Sequence, residues 1–135
     1  MKAFTSIEQS KKLAEILPLE SADMHLMNSS IKGEIYVDEF KPVLVPYLRA
    51  KDSLDAYSKI VNNMIAWEVI PCWSLAALLD ALPYPQLSKD KLGSGKEGWM
   101  ISVYPDNCRY DSCWHDNPVD ACYEMIIKLQ EQKLL

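Results

Sequence analysis

The chain has 135 residues, 49% of them hydrophobic, enough to bury the core of one domain without disulfide or metal support. Fourteen basic against nineteen acidic residues leave a net charge of -5, which works against broad contact with a phosphate backbone, so nucleic acid is not an expected partner. No apolar run approaches the roughly eighteen residues of a membrane span, and the stretch from Met1 to Leu17 is polar where a secretion signal is apolar; a cytoplasmic protein with reduced cysteines is expected.

Thr5-Ser-Ile-Glu8 fits a capping box, and the apolar residues Ile7, Leu13, Ile16 and Leu17 behind it predict a helix from about Ser6 to Leu17, ended by Pro18. Ala22 to Met27 and Ile31 to Phe40 read as two strands of a hairpin around Asn28-Ser-Ser30, the second alternating Ile31, Ile35 and Val37 with polar neighbours. Lys41-Pro-Val-Leu-Val-Pro46 is held extended by its prolines, as a connector or edge segment. Leu54, Tyr57, Val61, Met64 and Ile65 recur at helical spacing, predicting a helix that starts near Asp52 or Ser53 and ends before Pro71. Ser74 caps a further helix carrying Leu75, Leu78, Leu79 and Leu82, stopped by Pro83.

Residues 83–98, rich in proline, glycine and lysine, read as a mobile loop. Trp99 to Tyr104 and Cys108 to Trp114 then form a hairpin turned at Pro105-Asp-Asn107, with Trp99, Ile101 and Val103 on one face. Asn117-Pro118 starts the last helix, asparagine as cap and proline at the first helical position, and Val119, Cys122, Met125, Ile126 and Leu129 form its buried stripe. The order α-β-β-α-α-β-β-α, with strands joined by hairpins, predicts one α+β domain over residues 1–135, an antiparallel sheet of about four strands with helices packed on it.

Pro71-Cys-Trp-Ser-Leu-Ala-Ala-Leu-Leu-Asp-Ala-Leu-Pro83, the Trp99 hairpin and Asn117-Pro-Val-Asp-Ala-Cys-Tyr-Glu-Met-Ile-Ile127 together resemble small uncharacterised proteins of phages and of prophage-like regions in gut Bacteroidetes. The Asn-Pro-x-Asp/Glu-Ala helix start is similar to that of the phage α/β sandwich type. The resemblance covers residues 71–129, rests on capping and packing residues, and implies no catalytic residue.

Three of the four cysteines and one of the two histidines fall between Cys108 and Cys122. On a regular strand Arg109, Asp111, Cys113 and His115 share one face and Cys108, Tyr110, Ser112 and Trp114 the other. Cys113 and His115 could grip an ion together, but Cys108 faces away and Cys122 belongs to the buried helix stripe. The spacing C-x4-C-x-H-x6-C matches no common zinc framework, so no metal and no other cofactor are expected.

A thiol site would use Cys113 as nucleophile, His115 as base and Asp111 to orient the imidazole. Parallel same-face positions hold sulfur and ring apart unless a bulge or the strand end rotates them, and a solvated polar face with one incidental cysteine is the simpler reading. Gly93-Ser-Gly-Lys96 fails as a phosphate loop, because Glu97 follows the lysine and a strand follows the loop. His25 has no ligand partner nearby in sequence and reads as a surface or edge residue. Trp67, Trp73, Trp99 and Trp114 read as core anchors, with room for one or two at a partner surface.

The leading expectation is a non-enzymatic accessory protein of phage or mobile-element type that binds another protein or itself, as a monomer or weak homodimer, with no membrane partner. The alternative is a cysteine-dependent hydrolase or thiol enzyme centred on Cys113 and His115. A third reading is a small-ligand binder using the 83–98 loop.

Overall fold

The computed structural model describes residues 2–31, 41–44 and 65–135. The protein is α+β: its strands are antiparallel and helices pack on them. Among the described residues the strands lie in two sheets of three, where the sequence suggested one sheet of about four. The chain divides into two compact units, residues 6–73 and residues 1–5 with 74–135.

In the unit of residues 6–73, helix α1 spans Ile7–Ala14. Its capping box is built one residue later than expected: the Gln9 N–H donates to Ser6 Oγ at 3.2 Å, and the Ser6 N–H to Gln9 Oε1 at 3.1 Å. Thr5, the expected cap, is buried, whereas Ser6 sits at the exposed helix start. The helix is shorter than predicted, and Leu17 is buried beyond its end together with Leu13.

Strand β1 (Met24–Ile31) is the centre of a sheet ordered β2-β1-β3, with β2 at Lys41–Leu44 and β3 at Ile65–Cys72. Two expectations change here. The proposed turn at Asn28-Ser-Ser30 is continuous strand, because eight residues of β1 pair with β3 in one ladder from Met24↔Cys72 to Ile31↔Ile65. Local turn preference yields to that ladder.

Ile65, the last residue of the predicted helical stripe, opens β3, a segment whose Ile65, Trp67, Val69 and Ile70 are residues of high strand propensity. Residues 66–70, also assigned to that predicted helix, are strand too, whereas its earlier part and the predicted strand after Ile31 lie outside the described residues. Among the described residues Lys41–Leu44 does form an edge strand, paired to β1, where Pro42 is tolerated. His25 lies on the central strand, opposite Val43 and Pro71, and not at an edge. Helix α1 packs against β3, and the buried Trp73 indole N–H donates to Ser21 Oγ at 2.9 Å.

In the second unit, Ser74 caps helix α2 (Leu75–Ala81) by accepting from the Ala77 N–H. The expected mobile loop of residues 83–98 is mostly ordered structure. Gln86–Lys91 is strand β4, paired residue for residue with β5 (Glu97–Val103), and only the turn between them keeps the loop character. Gly95 adopts φ +83° in that turn, and a Cβ on Gly98 would meet the Leu92 side chain at 2.9 Å, so the glycines read as loop signals are the parts that close a hairpin. Charged Lys89, Asp90 and Lys91 populate the outer strand, as open sheet edges require.

Strand β6 (Tyr110–Asp111) flanks β5 on its other side. Helix α3 (Pro118–Glu131) begins as expected, with Asn117 Oδ1 accepting from the Asp120 N–H at 2.9 Å and Pro118 in the first turn. Ile101 and Val103 of β5, Leu78 of α2, and Val119, Cys122, Met125, Ile126 and Leu129 of α3 are fully buried. They form one core between the sheet and the two helices, with α3 packed on β5 and on α2.

Candidate functional site

The predicted catalytic residues all lie on the chain that runs from β6 to α3. Its pairing with β5 contains an irregularity. Ser102 pairs with Asp111, but Trp99 bridges to His115: three residue steps on β5 face four on the other strand. One extra residue is accommodated, which is a β-bulge, and a bulge reverses the alternation beyond it.

Ser112 fills the irregularity. Its N–H donates to the Ile101 carbonyl at 2.9 Å, while its buried hydroxyl accepts from the Ile101 N–H at 3.0 Å and donates to the Cys113 carbonyl at 2.8 Å. A side chain thereby supplies contacts that a regular ladder would draw from the backbone.

The bulge separates the proposed triad. Asp111 stays on the Ser102 side of the sheet, where its Oδ1 accepts from Ser102 Oγ at 2.7 Å and from Arg109 Nε at 2.8 Å. The Arg109 guanidinium, then the Ser102 hydroxyl, hold the Asp111 carboxyl below the usual carboxylate range, and Asp111 raises Arg109 in return. His115 is turned to the other side, opposite Trp99, toward α3. Asp111 therefore does not orient His115.

Glu124 of α3 stands in that place. Its Oε2 accepts from the Cys113 N–H at 2.8 Å, and its Oε1 lies 3.5 Å from His115 Nε2, a buried atom that makes no hydrogen bond. Burial pushes the Glu124 carboxyl up, but the Cys113 N–H, the Cys113 thiol and His115 outweigh it and hold the group below its ordinary value. The effect on Cys113 is opposite: hydrogen bonding to Glu124, then repulsion by its charge, pushes the thiol up. A carboxylate beside a thiol disfavours the thiolate that nucleophilic catalysis needs.

The other sulfurs divide by burial. Cys122 lies in the core, where loss of solvent pushes its thiol up to about 12, and Cys108, just before β6, is exposed. Among the described residues no group of three or more His, Cys, Asp or Glu is placed to hold a metal ion. Gly93-Ser-Gly-Lys96 is the β4–β5 turn, closed by the Leu92 N–H to the Lys96 carbonyl at 2.8 Å. Of the tryptophans, Trp73 is a core anchor, Trp99 is half-buried beneath Lys89, whose ammonium lies 5.0 Å from the ring centre, and Trp114 is exposed.

Sequence reasoning did not find Glu124. The available signal was its place beside the apolar stripe of α3 with Lys128 one turn on, whose ammonium donates to the Asp111 carbonyl at 3.0 Å. Comparison of the chain with known protein families, curated proteins and solved structures finds no match. Among the described residues no helix is long and apolar enough to cross a membrane.

Proposed function

We propose that the protein works by binding another protein and performs no covalent chemistry, as a cytoplasmic accessory protein of phage or mobile-element type, monomeric or weakly dimeric. One observation carries this reading. The best-placed nucleophile, Cys113, gives its backbone N–H to the Glu124 carboxylate, which pushes the thiol up, while Asp111 is committed to Arg109 and Ser102 on the other side of a bulge. A thiol enzyme requires the reverse, a positive neighbour that lowers the thiol pKa. The likeness of residues 71–129 to phage-type proteins supplies the setting and no activity.

Iodoacetamide labelling of the native protein between pH 6 and 9, read by peptide mass spectrometry, tests it. Cys108 is expected to label faster than Cys113, with neither reactive well below the ordinary thiol pKa of about 8.5. A burst of labelling confined to Cys113 near pH 6 would replace this reading with the thiol enzyme.

A further inference from the structure

Among the described residues one buried side-chain nitrogen or oxygen lacks a hydrogen bond, and it is Nε2 of His115. Buried polar atoms are normally paired because an unpaired one has lost its water and gained nothing in return.

Both sides of the gap at Nε2 are anchored. The His115 N–H donates to the Trp99 carbonyl at 2.8 Å, and the Trp99 N–H to the His115 carbonyl at 2.7 Å, so the backbone under the ring is fixed. The atom that faces Nε2 is Glu124 Oε1 at 3.5 Å, on a side chain whose other oxygen accepts from the Cys113 N–H at 2.8 Å. That separation exceeds a charge-assisted N–H···O bond of about 2.7–2.9 Å by roughly 0.6–0.8 Å, which small torsional changes in a glutamate can close.

The chemistry of imidazole accounts for the gap. A neutral ring carries one proton, and with that proton on Nδ1 the lone pair of Nε2 meets a carboxylate oxygen, two acceptors that do not attract. A charged ring carries a proton on both nitrogens, and Nε2 becomes a donor aimed at an anion. Glu124 is ionised when this happens: against the effect of burial, the Cys113 N–H and thiol, then His115, hold its carboxyl below the ordinary value. The His115 side chain is 28% exposed although Nε2 is not, so protons reach the ring from its open edge.

The other charges on the surrounding elements are engaged elsewhere. On α3, one turn to either side of Glu124, Asp120 pairs with Lys2 at 2.8 Å and Lys128 donates to the Asp111 carbonyl at 3.0 Å. On β4, Lys89 pairs with Glu97 and lies over the Trp99 ring. On the strand that carries His115, Asp111 pairs with Arg109 across the bulge, the Cys113 thiol lies beside Glu124, and Asp116 is exposed.

We propose that His115 and Glu124 form a proton-operated latch: on taking up a proton His115 donates Nε2–H to Glu124 Oε1, and both oxygens of one carboxylate then tie α3 to the strand beyond the bulge. With the ring neutral, Glu124 holds that strand through the Cys113 N–H. With the ring charged it holds Cys113 and His115 together, the two residues that flank the exposed Trp114. The latch therefore sets how firmly the Trp114 segment is presented, in the pH range where histidine is the ordinary side chain that changes charge. It requires neither a reactive thiol nor a partner, so it stands or falls apart from the protein-binding reading.

The test is NMR of the full chain, labelled with 15N and 13C, from pH 8 to 5, with Glu124→Gln and His115→Gln beside the wild type. His115→Gln assigns the ring signals, since the chain has two histidines. As the His115 ring gains its second proton, the Glu124 carboxyl carbon and the Cys113 amide are expected to shift with the same midpoint, and the heteronuclear NOE of the Trp114 amide to rise. At pH 5 the Nε2 proton is expected to exchange with water about tenfold more slowly in the wild type than in Glu124→Gln, where the Cys113 step is lost. A ring that takes up its proton while the Glu124 carboxyl and Cys113 amide stay still would overturn the proposal, and this is read in the wild type alone, whether or not a variant folds. A ring that stays neutral down to pH 5, an Nε2 proton that exchanges equally fast in Glu124→Gln, or a Trp114 amide equally mobile at both ends of the range would overturn it as well.

Discussion

Strand β5 is flanked by two strands that treat its side chains differently. On one side β4 keeps six consecutive pairs, so faces alternate without interruption, and Lys89 opposite Trp99 lies over that ring and pairs with Glu97 at 3.1 Å. On the other side β6 pairs twice, gains a residue, and bridges again at His115. Along β4 the sequence spacing of two residues states whether they share a face. Along the 111–115 segment a single extra residue sends Asp111 to one side of the sheet and His115 to the other. Bulges re-aim side chains without changing their order, and here the re-aimed histidine meets a helix glutamate in place of a strand aspartate.

The largest expected effect falls on β5, which both sides share. Ile101→Ala opens a cavity against α3 and is expected to cost about 2–5 kcal/mol in denaturant unfolding. Next is the contrast between the flanks. Ser112→Ala leaves the buried Ile101 N–H without its acceptor and is expected to cost about 1–3 kcal/mol, with faster hydrogen exchange at Ile101. Ser88→Ala on the regular flank stays within about 0.5 kcal/mol. Equal losses for the two serines would remove the special status of the bulge.

Further along the same chain, Asn117→Ala is expected to cost about 1 kcal/mol through the lost cap, with Pro118→Ala milder.

The smallest effect is on pH dependence. The folded Glu124 and Asp111 carboxyls both titrate below their ordinary values. Their contribution is therefore fully present above the unfolded carboxyl pKa values of about 4 and is lost as pH falls through the lower folded values. Glu124→Gln is expected to flatten the acid limb of melting temperature against pH, and an unchanged limb would show that Glu124 makes no such contribution.

What was legible in the sequence were features whose cause is local. Ser74 and Asn117-Pro118 cap helices because oxygen and ring act within one turn, and Trp99, Ile101 and Val103 alternate because β5 is regular. What was hidden depends on partners distant in sequence. Asn28-Ser-Ser30 stays extended only because residues 66–68 pair with it, and Gln86–Lys91 becomes strand only because β5 lies alongside. At the candidate site Cys113 and His115 were visible as chemistry, but the bulge was not. No residue type announces an insertion in a ladder, and Glu124 is reached only through the fold.

The account stands most directly on Glu124, and not Asp111, being the carboxylate that holds Cys113 and faces His115. Side-chain carboxyl 13C shifts and the Cys113 amide proton, followed together by NMR from pH 7 to 2, measure this. The account predicts that the Cys113 amide moves with the Glu124 carboxyl, at a midpoint below the ordinary glutamate value of about 4.3, and that Glu124→Gln abolishes the movement. A Cys113 amide that follows Asp111, or that does not titrate while Glu124 does so at its ordinary value, would contradict it.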